Sequence, residues 1–151
     1  MCSFRGVRHR IETVCERGGK TYIDDSKGTN VDAAIKAVEC MRRETVILLG
    51  GKDKGYEYYP LFKKLKESRV VHAVLYGENR FRLLAGAQEA GFGSFSLCAD
   101  FAMAVKIADH VAKSGQNVLL SPASSSFDEF SGYEERGDRF AEMVKGADES
   151  V

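Results

Sequence analysis

Four short polar segments carry most of the side chains in this sequence that could bind or transform a ligand. They are "DDSKGTN" at 24–30, "GGKDKG" at 50–55, "YGEN" at 76–79 and "SPASSSFDEF" at 121–130, and each follows an apolar stretch. Together they offer carboxylates, ammonium groups and hydroxyls. The sequence has no G-x-S-x-G turn for a nucleophilic serine and no C-x-x-C pair for a metal. We therefore expect no metal site, and binding of an anionic ligand stays one interpretation of these segments beside ordinary solvated loops.

The segment at 24–30 combines an acceptor, a cation and a hydroxyl. Asp25, Lys27 and Thr29 alternate, so in an extended chain their side chains share one side. Asn30 is a suitable N-cap for the apolar periodic stretch that follows, and a helix N-terminus favours anions. The same pattern is typical of an ordinary helix-capping loop, and the residues alone leave both interpretations open.

Two lysines, Lys52 and Lys54, lie between glycines in the segment at 50–55. It is not a phosphate-binding loop of the G-x-x-x-x-G-K-[ST] kind, because Gly55 is not followed by a lysine and a hydroxyl. Anion binding and a solvated turn are equally compatible with it. Arg10, in "RHR", raises the same two alternatives, since guanidinium groups pair well with phosphate oxygens.

The serine-rich segment at 121–130 begins where an apolar strand ends. We expect "SSSFDEF" to open a short helix whose N–H groups and hydroxyls could hold a carboxylate without a buried cation. Phe127, Phe130 and Tyr133 would then supply apolar walls. The alternative is a core aromatic cluster under a serine-rich cap, and we expect Phe130 to belong to that core.

These segments need a scaffold, and the hydrophobic pattern predicts one of the α/β class. The stretch "RIETVCERGGKTYIDD" predicts a hairpin that turns at Gly18 and Gly19. After it, short strands that are apolar throughout alternate with amphipathic helices, which indicates a parallel sheet covered on both faces. We predict a single domain over 1–151. It would be a Rossmann-like, mostly parallel sheet of about six strands, with an N-terminal hairpin and helices on both faces. Ligands bind at the carboxyl ends of the strands in such sheets, where the polar segments would meet.

Composition narrows the functional classes. Of the 151 residues, 44% are hydrophobic and 29% charged, as in a folded globular domain. The 22 Lys and Arg residues balance 22 Asp and Glu residues, so a nucleic-acid partner is not expected. No apolar run approaches the roughly 20 residues that a membrane span needs, so no membrane partner is expected either. The N-terminal "MCSFRGVRHR" lacks an apolar signal region, from which we predict a cytoplasmic protein.

The order of the motifs is more specific than any one of them. "RHRIE", "DDSKGTN", "GGKDKG" and "SPASSSFDEF..YEERG" follow one another over nearly the whole chain. In this order they resemble the C-terminal domain of the Mur ligase family, and in particular its D-glutamate-adding branch. The patterns "DSK-x-TN" and "SPA-x-x-S-x-D-x-F" separate that branch from the sister ligases that add other amino acids. The resemblance implies the third, Rossmann-like domain of a three-domain, ATP-dependent ligase of peptidoglycan precursors.

The resemblance also implies a reaction, in which the complete enzyme joins D-glutamate to UDP-N-acetylmuramoyl-L-alanine. ATP converts the substrate carboxyl into an acyl phosphate, the amine attacks it, and the tetrahedral intermediate expels phosphate. This domain would bind D-glutamate and close over the nucleotide. By the same resemblance, Arg10 contacts a nucleotide phosphate, Asp25 contacts the ribose, and Lys27 is a catalytic lysine near the reacting groups. The implied D-glutamate contacts are Thr29, Lys54, Ser126, Phe127 and Tyr133.

Elementary electrostatics supports part of that assignment. D-Glutamate carries two carboxylates, and Lys54 can pair with one of them. The Ser126 hydroxyl and the Phe127 N–H at a helix start can hold the other. We expect Lys54 to be the main electrostatic anchor and Lys52, two residues earlier, to point to solvent.

The remaining partners would bind elsewhere. UDP-N-acetylmuramoyl-L-alanine and ATP, with Mg²⁺, would bind through two domains that this sequence lacks, and no tightly bound cofactor is expected on the chain itself. Met1 directly before "CSFRGVRHR" suggests a start at a domain boundary, so we predict one excised domain that is monomeric and inactive by itself. Two alternatives stay open: the C-terminal domain of a sister Mur ligase with another amino acid, and a stand-alone Rossmann-like anion-binding module.

Overall fold

The computed structural model describes residues 6–146, which form a six-stranded sheet in the order β1-β2-β6-β3-β4-β5. β1 pairs antiparallel with β2, and all other neighbours are parallel. The predicted Rossmann-like, mostly parallel sheet with an N-terminal hairpin is therefore confirmed. The strands are β1 (Glu12–Arg17), β2 (Lys20–Asp24), β3 (Thr45–Gly50), β4 (Val70–Tyr76), β5 (Phe95–Leu97) and β6 (Asn117–Leu120). The helices are α1 (Val31–Glu39), α2 (Tyr59–Lys66), α3 (Arg80–Ala90), α4 (Phe101–Val111) and α5 (Tyr133–Gly146).

The hairpin turns at the two predicted glycines. Gly18 and Gly19 have φ angles of 62° and 78°, and Arg17 pairs with Lys20 across the turn. Two consecutive positive φ angles are the geometry of a type I′ turn, whose twist matches that of the two strands it joins. The hairpin therefore adds β1 as an antiparallel edge strand to an otherwise parallel sheet.

Helices cover both faces of the sheet, as predicted. On one face, α1, α2 and α3 pack on side chains such as Ile47 and Leu49 of β3. On the other face, α4 and α5 pack on Val46 and Leu48 of the same strand. Alternate residues of β3 thus enter opposite cores, which is why its sequence is apolar throughout. Within residues 6–146, no helix combines the length and the apolar character that crossing a bilayer requires.

Local capping signals set several helix boundaries, among them the start of α1 at the predicted cap Asn30. The Asn30 side chain accepts a hydrogen bond from the Ala33 N–H at 2.9 Å, and Asp100 accepts one from Met103 at the same distance. Gly91 ends α3 in the left-handed conformation. These three boundaries follow from interactions within one helical turn, which a sequence displays directly.

The predicted helix within "SSSFDEF" is wrong. The Ser126 carbonyl accepts hydrogen bonds from Glu129 N at 3.1 Å and Phe130 N at 2.8 Å, but this single turn does not continue. Helix α5 begins only at Tyr133. Its start is fixed by the Glu135 carboxylate, which accepts a hydrogen bond from the Ser131 N–H at 2.7 Å. Serine side chains compete with helical backbone bonds, which disfavours continuation of the earlier turn.

Candidate functional site at the carboxyl edge of the sheet

Three connections meet at the edge of the sheet where the parallel strands end. They are the Asp25 loop (25–30) after β2, the Lys54 loop (51–58) after β3 and the serine-rich segment (121–130) after β6. Asp25 N donates to Leu120 O at 2.7 Å, and Lys52 N donates to Ser125 O at 3.0 Å. The predicted meeting of these connections at one sheet edge is therefore observed.

A glycine allows the Lys54 loop to touch the serine-rich segment. Gly51 has a φ of 151°, and a Cβ atom there would lie 2.1 Å from the Ser125 carbonyl oxygen. Such an approach excludes every side chain, because the obstacle is backbone rather than a flexible side-chain end. The two connections therefore contact each other backbone to backbone.

The two predicted nucleotide-binding residues contact each other. The Arg10 guanidinium lies 2.7 Å from an Asp25 carboxylate oxygen, and its side chain is 11% exposed. Asp25 is 0% exposed and accepts further hydrogen bonds from Ser121 Oγ at 2.6 Å and Ile11 N at 3.1 Å. Burial raises the pKa of Asp25 to about 6, although these donors and Arg10 oppose the shift. Asp25 thus holds Arg10 in place at the strand edge.

A second buried pair lies beside the first. His9 Nδ1 is 2.6 Å from Asp24 Oδ2, and both side chains are buried. Burial raises the pKa of Asp24, against the opposing effect of its hydrogen bonds with His9 and Ser26. Glu12 accepts a hydrogen bond from the His9 N–H at 3.1 Å.

His9, Glu12 and Asp24 bring three potential metal ligands within 4.8 Å of one another. However, their side chains already bond within the cluster, His9 to Asp24 and Glu12 to the backbone of His9. These internal hydrogen bonds account for the cluster, so we assign no ion to it.

Lys27 and Tyr133 come together although they are 106 positions apart in the sequence. The Lys27 ammonium is 5.9 Å from the centroid of the Tyr133 ring, and the His9 ring meets the same ring edge-on at 6.2 Å. The Tyr133 carbonyl accepts a hydrogen bond from Ser26 Oγ at 2.7 Å. The Asp25 loop is thereby linked to the first residue of α5.

Arg136 reinforces this link and was not singled out in the sequence. Its buried guanidinium donates from Nε to Ser26 Oγ at 2.9 Å and from Nη2 to Ser26 O at 2.8 Å. Burial lowers the pKa of Arg136. Nothing local in "YEERGDRF" distinguishes Arg136 from Arg139, which is exposed. The two arginines differ in that Arg136 bonds to Ser26, which is distant in the sequence.

The predicted D-glutamate contacts Ser126, Phe127 and Thr29 differ in their burial, and Ser125 beside them is buried as well. Ser125 Oγ and Ser126 Oγ are buried and have no hydrogen-bond partner within residues 6–146. Such hydroxyls are uncommon in folded proteins and call for an explanation. Phe127, by contrast, is 62% exposed. Thr29 is half-buried directly before the cap of α1.

The two lysines of the Lys54 loop differ in their partners. Lys52 Nζ lies 3.3 Å from a Glu78 carboxylate oxygen, so it is paired rather than simply pointing to solvent as we expected. Lys54 is exposed and makes no ion pair within the part of the chain that the structure describes. Lys54 is therefore the lysine whose charge remains available to a ligand.

A buried asparagine, Asn79, joins the Lys54 loop to the serine-rich segment. We did not single it out in the sequence. Asn79 follows β4 and is buried. Its side chain accepts a hydrogen bond from Gly51 N at 3.0 Å and donates to Tyr58 OH at 2.9 Å and Ser124 Oγ at 2.8 Å. The segment "YGEN" marks a post-strand loop, but no local signal shows where its asparagine points.

Comparison with known proteins identifies relatives of the whole chain. The family described as Mur ligase, glutamate ligase domain, matches residues 9–124. UDP-N-acetylmuramoylalanine–D-glutamate ligase of Pelotomaculum thermopropionicum is 45% identical over 141 residues, 93% of this chain and 31% of the relative. The enzyme of the same name from Geotalea daltonii is 44% identical over 146 residues, 95% of this chain and 31% of the relative. The chain thus spans about a third of the length of the curated relatives it matches.

Solved structures share the fold at low sequence identity. UDP-N-acetylmuramate–alanine ligase of Thermotoga maritima aligns with a TM-score of 0.63 and 14% identity, over 95% of this chain and 31% of that chain. Bifunctional folylpolyglutamate synthase/dihydrofolate synthase of Yersinia pestis aligns with a TM-score of 0.60 and 15% identity, over 97% of this chain and 32% of that chain. Both matches support the architecture of the sheet and its helices.

Proposed function

This chain belongs to the Mur ligase family, and we propose that it is the C-terminal, D-glutamate-binding domain of a UDP-N-acetylmuramoyl-L-alanine–D-glutamate ligase. The complete enzyme would be an ATP-dependent acid–amino-acid ligase of peptidoglycan synthesis. Two further domains would bind ATP and the nucleotide-linked substrate. We further propose a cytoplasmic, monomeric enzyme.

One observation supports the assignment of the D-glutamate site. Within residues 6–146, a lysine without an ion pair and two hydroxyls without a hydrogen-bond partner lie on connections that contact each other. In our proposal, Lys54 pairs with one carboxylate of D-glutamate. The Ser126 hydroxyl and the Phe127 N–H hold the other carboxylate. Because the expected helix is only a single turn, this second carboxylate gains little from a helix dipole. Lys54 would therefore be the stronger of the two anchors.

The other proposed D-glutamate contacts would complete the site formed by Lys54 and Ser126. Thr29 precedes the cap of α1, and its hydroxyl would contact the ligand. Tyr133, at the start of α5, would form one wall, with Phe127 as an exposed second wall. Lys27 lies over the Tyr133 ring, and this position supports our proposal of a catalytic lysine near the reacting groups.

For the nucleotide, we propose that Arg10 contacts a phosphate. Asp25 orients Arg10 through their ion pair. Because Asp25 is fully buried, a direct contact with the ribose requires a local rearrangement that uncovers its carboxylate. The ion pair with Arg10 is thus the role that its present position favours.

The proposed reaction proceeds by two bond exchanges. The γ-phosphoryl group of ATP moves to the carboxylate of UDP-N-acetylmuramoyl-L-alanine, which gives an acyl phosphate and ADP. The neutral amine of D-glutamate then attacks the carbonyl carbon, and the tetrahedral intermediate expels inorganic phosphate to leave an amide. Holding the amine at the acyl carbon is a proximity effect that can lower the barrier by several kcal/mol. Mg²⁺ would neutralise phosphate charge, and we assign it to the domains that hold ATP.

The decisive experiment measures phosphate release by the complete enzyme in the presence of ATP and UDP-N-acetylmuramoyl-L-alanine. D-Glutamate should stimulate release, whereas meso-diaminopimelate, L-lysine and L-alanine should not. Stimulation by one of those three amino acids instead would identify a sister ligase. If none of the four stimulates release, the ligase assignment is wrong.

The 151-residue chain alone provides a second test. It contains no phosphate-binding loop, so we expect no ATP- and D-glutamate-dependent phosphate release from it. D-Glutamate should nevertheless shift the amide NMR signals of residues 51–58 and 121–130. Phosphate release by the chain alone would contradict our proposal that ATP binds to the other domains.

A further inference from the structure

Asn79 occupies the cap position of α3 but does not cap it. It directly precedes Arg80, the first residue of the helix, and makes no side-chain hydrogen bond to the first turn. Asparagine is among the preferred residues at this position because its side chain normally accepts such a bond. Here the carboxamide is turned toward other partners, so its role is not the local one that its position predicts.

Those partners lie on both sides of the proposed D-glutamate site. Gly51 and Tyr58, the first and last residues of the Lys54 loop, both bond to the Asn79 side chain. The third partner is Ser124 Oγ in the serine-rich segment, two residues before Ser126. A carboxamide offers two N–H donors and one carbonyl oxygen, and each of them has a partner here.

The backbone of Asn79 adds a further hydrogen bond to the Lys54 loop. Its N–H donates to Gly51 O at 3.1 Å, which complements the bond from Gly51 N to Asn79 Oδ1 at 3.0 Å. Tyr58 OH and Ser124 Oγ are also within 3.0 Å of each other, which closes a buried triangle of polar groups. One residue thus fixes both ends of the Lys54 loop against the serine-rich segment.

We propose that Asn79 is a positioning residue that sets the separation of Lys54 and Ser126, and with it the affinity for D-glutamate. The inference rests on the proposed function, since it concerns the same site. Asn79 does not contact the ligand itself. Its removal would let the Lys54 loop move relative to the serine-rich segment, so that a ligand could no longer engage both at once.

The test compares two buried asparagines at opposite edges of the sheet in the complete enzyme. Asn117 begins β6, and its amide bonds to Met41 Sδ and Thr45 Oγ1, each at 3.4 Å. We expect Asn79→Ala to raise the KM for D-glutamate about tenfold and to change the KM for ATP less than twofold. Asn117→Ala should lower the thermal unfolding temperature but leave both KM values within twofold of the wild type.

Two outcomes would overturn the inference. One is a KM for D-glutamate that stays within twofold in Asn79→Ala, and the other is a parallel rise in the KM for ATP. If Asn79→Ala does not fold, Ser124→Ala serves instead, because it removes one partner of the carboxamide. That variant should raise the KM for D-glutamate about threefold, and an unchanged KM would again contradict the inference. A wild-type enzyme without D-glutamate-dependent phosphate release would refute the proposed function, whatever the variants do.

Discussion

The Asp25 loop and the serine-rich segment lie at the same edge of the sheet, yet their polar groups differ in their partners. The Asp25 carboxylate is bonded by Arg10, Ser121 and the backbone of Ile11. The hydroxyls of Ser125 and Ser126 have no partner within the described residues. The first region is complete within the fold, whereas the second carries unused hydrogen-bonding capacity.

This difference separates the two kinds of role that a residue at a strand end can have. A fully bonded group such as Asp25 mainly holds other residues in place, so its removal should damage stability. An unpaired group gains its partner only when a ligand binds, so its removal should damage affinity and leave stability nearly unchanged. The following predictions test this distinction, from the largest expected effect to the smallest.

Lys54→Ala should have the largest effect on affinity. Lys54 is exposed in this domain, but its pair with a ligand carboxylate would be shielded from water in the closed complex that we propose. Losing one partner of such a shielded pair costs roughly 2–5 kcal/mol, so the KM for D-glutamate in the complete enzyme should rise more than tenfold. The KM for ATP should stay nearly unchanged. Lys52→Ala is the matched control, because Lys52 already pairs with Glu78. A larger effect from Lys52→Ala than from Lys54→Ala would show that the assignment of the two lysines is reversed.

Arg10→Ala should have the largest effect on stability. It leaves the buried Asp25 carboxylate without its cation, which costs about 3 kcal/mol in the free energy of unfolding. Urea unfolding of the 151-residue chain at pH 7 measures this loss. Arg8→Ala is the control, since Arg8 forms only an exposed pair with Asp138 and should cost less than about 0.5 kcal/mol. Equal losses from both variants would contradict a special role of the buried pair.

The pH dependence of stability should show the burial of Asp25. Its folded pKa of about 6 lies above the ordinary value of 3.8, so between these pH values the folded protein holds a proton that the unfolded chain has lost. The contribution of Asp25 to the free energy of unfolding therefore falls as pH rises through this window, by up to about 3 kcal/mol, and is constant above it. The difference in unfolding free energy between wild type and Asp25→Asn, measured from pH 4 to 7, should show this decline. A flat difference would mean that the carboxyl titrates normally.

Ser126→Ala should have the smallest effect, and only on affinity. It removes one hydrogen bond to the ligand, worth about 1 kcal/mol, while the Phe127 N–H remains as a donor. The KM for D-glutamate should rise about fivefold. Stability should stay the same or increase, because the deleted hydroxyl has no hydrogen-bond partner among residues 6–146. Ser121→Ala offers the contrast: it deletes the bond to Asp25 and should lower stability instead.

The sequence predicts those features that depend on neighbouring residues. The caps at Asn30 and Asp100, the glycine at the end of α3 and the turn at Gly18 and Gly19 are all set within a few positions. The mostly parallel pairing of about six strands follows as well, because apolar strands that alternate with helices are typical of a parallel sheet covered on both faces. Hence the meeting of the polar segments could be predicted without a structure.

The roles of Asn79 and Arg136 could not be predicted in the same way. Asn79 bonds to Ser124, 45 positions away, and Arg136 bonds to Ser26, 110 positions away. Neither partner is visible in a local pattern of the sequence. The serine-rich segment shows a different error. The sequence predicted a helix within "SSSFDEF", whereas the next helix, α5, begins only at Tyr133, where Glu135 bonds to the Ser131 N–H.

The close approach at Gly51 constrains how the molecule can move. The backbone there lies against the Ser125 carbonyl, and Lys52 N bonds to the same oxygen. Together with the bonds of Asn79, these contacts tie the start of the Lys54 loop to the serine-rich segment. If this domain carries an amino acid toward an acyl phosphate, as we propose, we expect the sheet and these connections to move together as a rigid body. The hinge for such a motion would then lie outside the Lys54 loop and the serine-rich segment.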